Sequence, residues 1–496
     1  MTWETGSDGR SASASAGTRA ILRVFVKGGV ISPADLLRTM DASVRAGNDF
    51  IMFSSRQEIL FPASSAEVAE AEAVLRDADI EFVRTDVSRI TARSQPRNIV
   101  SSYAAVNVLD TTWWLKEDVY HYVLANFHGP PRLKVNIVDP VQSLVPLFGG
   151  HLHFVASKKE HYWQLYLRAD DLSERIERWP GLLHGDDLAR VTGRIEAKLL
   201  ADPVAPLSAL VEDVHEHAAF DDSGPREELR LPSPFFPYYE GLNPMLNNHF
   251  WLGLYWRNNR FDIEFLRAAC LLCQETKVGK ISLTPWKSFI IKGIRAEDRV
   301  RWEKLMGVFG INMRHSSLEL NWHIPVLDDE SLALKNGLVR ELTLEDISTH
   351  GLTITVKSPE PTPLFTSVVI EREAVMADGP PRYTIRHAKD FDPNRSEYRT
   401  FAEGLTRSAL PDELIELTRR YSSGIGSFET GHVEARDEGA AETPRRQCED
   451  CLTVYDPAYG DPVSGVPAGV SFEGLPRDYR CPVCSADKER FAPMSA

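Results

Sequence analysis

No run of this 496-residue chain approaches the roughly 20 apolar residues that a membrane span needs, so no membrane-spanning helix and no membrane partner are expected. Positive charge is in short supply: 56 Lys and Arg stand against 71 Asp and Glu, a formal net charge of −15, which argues against nucleic acid as a partner. Met1 to Gly17 lack the apolar core of a secretory leader; rich in Ser, Ala and Gly, they read as a disordered tail. Cysteine is scarce, with six in all and four of those after Gln447. Nothing suggests a disulfide framework, and a reducing, cytoplasmic compartment is expected.

What is there is ordinary for a soluble globular protein: 43% hydrophobic and 26% charged residues, in a chain long enough for about three or four domains. The informative stretch is the C-terminus, with Cys448-x-x-Cys451 and Cys481-Pro-x-Cys484. Each pair can fold into a tight turn that aims two sulfurs inward, and four soft thiolates in a tetrahedron select zinc or iron. Spacing alone leaves a structural zinc ribbon open. Between and behind the pairs stand Tyr455-Asp456-Pro457, Gly460-Asp461-Pro462, Gly465-Val466-Pro467-Ala468-Gly469, Phe472-Glu473, Leu475-Pro476, Lys488 and Phe491. From Arg446 to Phe491 this resembles rubredoxin. The resemblance implies one iron held by Cys448, Cys451, Cys481 and Cys484, cycling between ferric and ferrous. A site with four protein ligands has no open position, so it passes an electron and binds no substrate. Tyr455, Tyr459, Phe472, Tyr479 and Phe491 supply aromatics for a small core round the metal, and so short a module needs such a staple. The glycine that rubredoxins usually carry after each pair is here Leu452 and Ser485, which bears on the reduction potential more than on the metal.

Earlier in the chain, the order of elements is a strand at Ala20–Lys27, a helix from Ser32-Pro33 to about Ala46, strands at Asp49–Ser54 and Ile59–Phe61, a helix from Ser65 to about Ala78, and a strand at Glu81–Thr85. This β-α-β-β-α-β succession is the ferredoxin-like plan. A second copy runs through 249–325: a strand at Phe250–Trp256, a helix at Asp262–Thr276, strands at Lys280–Thr284 and Ser288–Lys292 around a Pro285-Trp286-Lys287 corner, and a helix at Arg295–Phe309. The expected fold class is therefore α+β with duplicated ferredoxin-like half-domains.

Several segments of this body resemble the nitrite and sulfite reductase family: Ser54-Ser-Arg-Gln-Glu-Ile-Leu60, Arg97-Asn-Ile-Val100, Pro131-Arg-Leu-Lys134, Gly150-His-Leu-His-Phe154 and Leu283-Thr-Pro-Trp-Lys287. The resemblance implies two larger lobes beside the ferredoxin-like halves, and a siroheme coupled to a [4Fe–4S] cluster. It also implies an anion or siroheme site at Arg56, Arg97, Arg132 and Lys134, where cations could clamp carboxylates or an oxyanion by charge-assisted hydrogen bonds. Equally, each could be a surface or inter-domain salt-bridge residue in an acidic chain. The cluster motif is missing: residues 326–420 hold no cysteine, and Cys270 and Cys273 lie at i and i+3 of an apolar helix, where packing is the expected role. A [4Fe–4S] cluster is therefore not expected, nor six-electron reduction. His151 and His153 alternate on a presumed strand and could reach a haem or metal, or simply hydrogen-bond in an interface.

The expected organisation is a tail (1–18), ferredoxin-like half-domain 1 (19–95), a siroheme-reductase-like lobe 1 (96–205), a linker (206–235), ferredoxin-like half-domain 2 (236–325), a degenerate lobe 2 (326–421), a flexible linker (422–446) and the rubredoxin-like domain (447–496). In lobe 2, Glu341–Lys357 and Leu364–Ile385 read as strand and loop, and Leu410–Tyr421 as an amphipathic helix. The second linker would have a root-mean-square reach of roughly 25–30 Å. The expected function is single-electron transfer to or from a reductase partner, in assimilatory nitrate or nitrite reduction by analogy, with the body as docking platform. The alternatives are an oxidoreductase that binds siroheme or another haem and is fed by its own iron module, and an oxyanion-binding redox sensor. Residues 448–496 hold eight Asp/Glu and four Lys/Arg, a net of −4, which suits a charged redox partner.

Overall fold

The fold comes from a computed structural model. It describes residues 20–86, 95–108, 115–168, 176–202, 206–217, 231–245, 248–313, 318–357, 364–373, 380–395, 397–424 and 445–493, with short pieces in 220–229 and without 452, 458–459, 462–463, 465, 467–468 and 485. The chain divides into two units, Met1–Ser423 and Gly424–Ala496.

The first unit opens with β1 (Ala20–Val24), β2 (Val30–Ile31), α1 (Pro33–Arg45), β3 (Phe50–Phe53), β4 (Ile59–Ala63), α2 (Val68–Asp77) and β5 (Phe82–Asp86). The Ser32 hydroxyl accepts the Asp35 N–H at 3.0 Å and Pro33 takes the first helical position, so α1 starts where the sequence signals it. A lobe follows: β6 (Val100–Ser101), α3 (Glu117–Ala125), β7 (Val135–Val138), β8 (Leu152–Ala156), β9 (Tyr162–Leu167), β10 (Glu177–Arg178), β11 (Gly181–His184), α4 (Leu188–Ala201), α5 (Leu207–His217) and β12 (Asp222–Pro225). The second ferredoxin-like half comprises β13 (Gly241–Met245), β14 (His249–Tyr255), β15 (Phe261–Asp262), α6 (Ile263–Glu275), β16 (Ile281–Leu283), β17 (Ser288–Arg295) and α7 (Arg299–Val308). The second lobe holds β18 (Trp322–His323), α8 (Asp329–Leu344), β19 (Ile354–Lys357), β20 (Val368–Arg372), β21 (Tyr383–Ala388), β22 (Tyr398–Leu405) and α9 (Leu410–Gly424).

The two halves are welded by exchange of edges. Their sheets run β15-β3-β4-β1-β5 and β13-β14-β17-β16-β2, so each half lends a short strand to the other. One apolar core, with Leu22, Phe53 and Phe61 from one half and Phe261, Phe289 and Trp302 from the other, fills both. The second half differs from the plain repeat. The edge that β5 occupies after α2 is filled by β13, which precedes β14 in the chain. Between β3 and β4 and between β16 and β17 the chain turns sharply, with Gln57 and Lys287 both at φ +56°.

The lobes are also duplicated. In the first, β6–β7 and β7–β8 are parallel and β8–β9 antiparallel; in the second, β18–β19 and β19–β20 are parallel and β20–β21 antiparallel. The expectation of strand and loop over Glu341–Lys357 holds for β19 and the turn before it but is corrected for Glu341–Leu344, since α8 runs through Leu344 and closes the second lobe's core with Leu334, Leu338 and Leu342. The stretch 206–235, expected as a linker, begins with α5, whose Leu210, Val211 and Val214 are buried in the first lobe's core.

In the second unit β23 (Arg446–Cys448), β24 (Val454–Tyr455) and β25 (Phe491–Pro493) form a small sheet in the order β24-β23-β25. The expected flexible linker falls mostly on 425–444, outside the described residues.

Candidate metal centre

β23 delivers Cys448 from its end, and the turn after it brings Cys451 back. Cys481 and Cys484 come from a second turn, closed by an N–H from Cys481 to the Ala486 carbonyl at 2.9 Å. The four Sγ atoms lie within 4.8 Å of one another. Cys448 and Cys484 are 3.6 Å apart at sulfur, Cys451 and Cys481 3.4 Å. Both separations far exceed a disulfide bond of about 2.04 Å. They approach the edge of about 3.8 Å that follows for a tetrahedron with metal–sulfur bonds of about 2.3 Å. Cys448 and Cys481 are buried, Cys451 is half-buried and Cys484 is exposed, so the centre has one face toward solvent.

Electrostatics demand a cation here. The Thr453 hydroxyl, 3.0 Å from the Cys451 sulfur, and then the Thr453 N–H stabilise that thiolate, lowering its pKa to about 6. The Ala486 N–H favours a thiolate at Cys484 too, but burial and the other three sulfurs push it up to about 12. Four like charges cannot converge on one point without a metal between them. The remaining core is thin and aromatic: Tyr455, Phe472, Tyr479 and Phe491 pack with ring centroids 5.2–6.4 Å apart. Tyr455 donates to the Val470 carbonyl at 2.8 Å and Tyr479 to buried Asp461 at 2.9 Å, so both buried hydroxyls are satisfied. Tyr459, expected in this core, and Leu452 and Ser485, expected to bear on the potential, lie outside the described residues.

The rubredoxin family model matches residues 445–491. A rubredoxin of Cupriavidus necator is 41% identical over 69 residues, covering 14% of this chain and 87% of that protein. The chain belongs to the rubredoxin family. Membership rests on the C-terminal module alone. Rubredoxin-2 of Chlorobaculum tepidum is 51% identical over 45 residues, covering 9% of this chain and 86% of that protein. The high molecular weight rubredoxin of Moorella thermoacetica is 45% identical over 56 residues, covering 11% of this chain and only 24% of that protein. The rubredoxin module thus fits a single iron in a tetracysteinyl site at Cys448, Cys451, Cys481 and Cys484. The body is similar in fold to the solved NirA protein of Mycobacterium tuberculosis, with a TM-score of 0.62 and 17% identity over 85% of this chain and 82% of that one. This likeness establishes a nitrite/sulfite reductase-like fold and nothing about chemistry.

Within the body, the four cations singled out by resemblance have different surroundings. Arg56 is buried, and its guanidinium donates to the Asn136 side chain at 2.6 Å and to the Asn98 and Val135 carbonyls at 2.7 Å. It ties the first corner to β7. Arg97 is buried, with its N–H on the Pro131 carbonyl at 2.6 Å. Arg132 is exposed, and its N–H donates to Glu196. Lys134 is half-buried, and its N–H donates to His151 Nδ1 at 3.0 Å.

His153 is fully buried, with the Gly150 backbone beside its ring. Burial first, then Arg168, His151 and Arg56, hold it well below its ordinary pKa. Sequence reasoning missed two neighbours of His153 and Lys134: buried Arg168, directly after β9, and buried His323 on β18, whose pKa burial, Lys287 and Lys134 depress. Neither belongs to a motif, and only the fold brings them near Lys134 and His153. Cys270 and Cys273 are buried in the shared core, and burial pushes the Cys270 thiol up to about 12 and raises Cys273 as well.

Proposed function

We propose that this chain is a single-electron carrier whose rubredoxin iron passes electrons to or from a reductase partner, with the nitrite/sulfite reductase-like body as docking platform. The observation that carries this reading is the closed set of four sulfurs with Cys484 exposed. Four protein ligands leave no place for substrate, and an exposed ligand gives an electron a short way out. Pro482 and Val483 beside it are exposed, Val483 by 70%, and offer a small apolar contact for a partner. Iron supplies the ferric/ferrous couple; the protein's contribution is to exclude water and to stabilise thiolates through groups such as Thr453. A cytoplasmic location and a role in assimilatory nitrate or nitrite reduction belong to the same proposal, by analogy of fold. Among the described residues no helix is long and apolar enough to cross a membrane.

The test is an absorption spectrum of the full chain with iron and zinc quantitation. Ferric tetrathiolate bands that bleach on reduction, at one iron per chain, are expected. A colourless zinc protein that gains no such bands with added iron would sink the proposal.

A second reading is favoured by one observation, the fully buried ring of His153 in a basic strip with Arg56, His151 and Arg168. In this reading the body binds a siroheme or another haem, or an oxyanion in a sensing role. A [4Fe–4S] cluster does not fit, because four of the six cysteines serve the rubredoxin site and the other two are packed in α6. A tetrapyrrole fits in part: the strip is basic, but the Arg56 guanidinium is engaged with Asn98, Val135 and Asn136. A Soret band in the same spectrum would favour the haem form. Oxyanion stabilisation lost in Arg97→Ala would favour the sensor.

A further inference from the structure

The internal duplication provides a control within one chain. Gln57 and Lys287 occupy matching corners with the same left-handed backbone, a conformation that a non-glycine residue adopts only when its surroundings impose it. Gln57 is fully engaged: its Nε2 donates to the Ser101 and Leu283 carbonyls at 3.0 and 2.8 Å, and its Oε1 accepts the Ser101 N–H at 2.9 Å. Lys287 is only 7% exposed, yet among the described residues its ammonium has neither a hydrogen bond nor a carboxylate within ion-pair distance. It lines a cavity of about 60 Å³ walled by Tyr255, Trp286, Trp322 and Ile324, with the start of α8 at its edge. That volume holds a few waters or one small ion.

The charged groups around the cavity leave a single positive charge uncompensated. Lys335 on α8 is bound to Glu319 and lies 3.3 Å from the Tyr255 hydroxyl; Arg257 pairs with the same Glu319. Asp328 spends its carboxylate on the α8 terminus, accepting the Ser331 N–H at 2.9 Å and hydroxyl at 2.6 Å. Asp329 and Arg260 are exposed at the rim. His323 is held neutral by burial and by Lys287 and Lys134. Burial and then Lys335 pull Lys287 down to about 7, with Asp328 acting weakly the other way. A buried amine in this position is best satisfied by an anion that enters the cavity.

We propose that the cavity around Lys287 binds a small planar monoanion, a short carboxylate or a trigonal oxyanion, held by the Lys287 ammonium beside the Trp286 and Trp322 rings. One unpaired cation matches one negative charge; a tetrahedral dianion would bury a second, uncompensated charge. The site is separate from the iron centre and does not depend on the electron-carrier reading.

All ten tryptophans precede residue 424, so tryptophan fluorescence of the full chain reports only on the first unit. The experiment follows its thermal midpoint against sodium formate, acetate and nitrate, with chloride and sulfate at matched ionic strength. Formate, acetate or nitrate should raise the midpoint saturably and sulfate should not; which of them does so separates a carboxylate site from an oxyanion site. Lys287→Gln, which installs the residue of the matching corner, should weaken the response about tenfold or more, the loss expected for one charge-assisted hydrogen bond. Lys287→Met should do the same and guards against a glutamine-specific effect, whereas Arg97→Ala should keep the response. No saturable shift with any planar anion would overturn the proposal, as would a shift that survives both Lys287 variants or is lost in Arg97→Ala alone.

Discussion

Single buried charges set much of this molecule's stability. Arg23 and Glu58 form an ion pair at 2.6 Å with side chains 1% and 3% exposed, and Glu58 also accepts the Ser54 hydroxyl at 3.0 Å. Removing one partner leaves the other charge buried and uncompensated, which costs about 3–5 kcal/mol. Glu58→Gln should therefore lower the stability of the first unit by about that amount in urea, read by tryptophan fluorescence; a change near zero would show that the pair is dispensable. Lys287 makes the opposite case. Its folded value of about 7 lies below that of an exposed lysine near 10.4, so between the two the unfolded chain binds a proton that the folded chain does not. The penalty is full below about pH 7 and fades as pH rises toward 10. Lys287→Met should thus raise the thermal midpoint more at pH 6 than at pH 9. An equal gain at both would mean that the amine is already solvated or paired. Glu58 lay inside a segment whose resemblance was visible in the sequence, but nothing in the sequence showed that Arg23, on the neighbouring strand β1, would neutralise it.

At the scale of elements, the exchange of β2 and β15 makes two halves one body. Asn259 completes the joint: its Oδ1 accepts the Phe53 N–H at 3.0 Å and its Nδ2 donates to the Phe53 carbonyl at 2.8 Å, so a side chain stands in for a strand partner. Asn259→Ala leaves both groups of a buried residue unpaired and should cost about 1–3 kcal/mol in denaturant unfolding of the first unit. A loss below a few tenths would mean that water replaces the amide. The ferredoxin-like strands and helices were legible because alternation and helical period are local signals with clear caps, as at Ser32. β2 and β15 were not, because two-residue edges carry no period. α5 did carry a signal, with Leu207, Leu210, Val211 and Val214 at helical spacing, but Pro203, Pro206 and the Asp221-Asp222-Ser-Gly-Pro225 run made the region read as a linker. α8 was hidden by weak helix formers such as Asn336, Gly337 and Thr343.

At the scale of the whole molecule, the two units have unlike sources of stability. The first has extended apolar cores; among the described residues, the apolar core of the rubredoxin module buries only Cys448, Cys481, Leu475 and four aromatics. Stripping the metal with acid and a chelator, then returning to neutral pH, should unfold the module while the tryptophan transition of the first unit stays where it was. Loss of near-ultraviolet tyrosine signal without a shift in tryptophan midpoint is the expected pair of readings. A shifted midpoint would show that iron loading stabilises the body. Cys448→Ser should reproduce the apo state, because it removes a buried ligand.

The amino-acid sequence alone determined the metal centre. Its ligands are two short local motifs within one small module, so spacing and flanking residues sufficed to specify four sulfurs and a thin aromatic core. It likewise determined the ferredoxin-like halves, whose periods and caps are local. The tertiary structure decided what depends on distant segments meeting: the edge exchange, the second lobe as a repeat of the first, the engagement of Arg56, the basic strip with Arg168 and His323, and the cavity around Lys287. The physical reason is the same in each case. Parallel strand pairing, buried charge compensation and cavities arise between residues far apart in the chain, where a single sequence carries no period or spacing to reveal them.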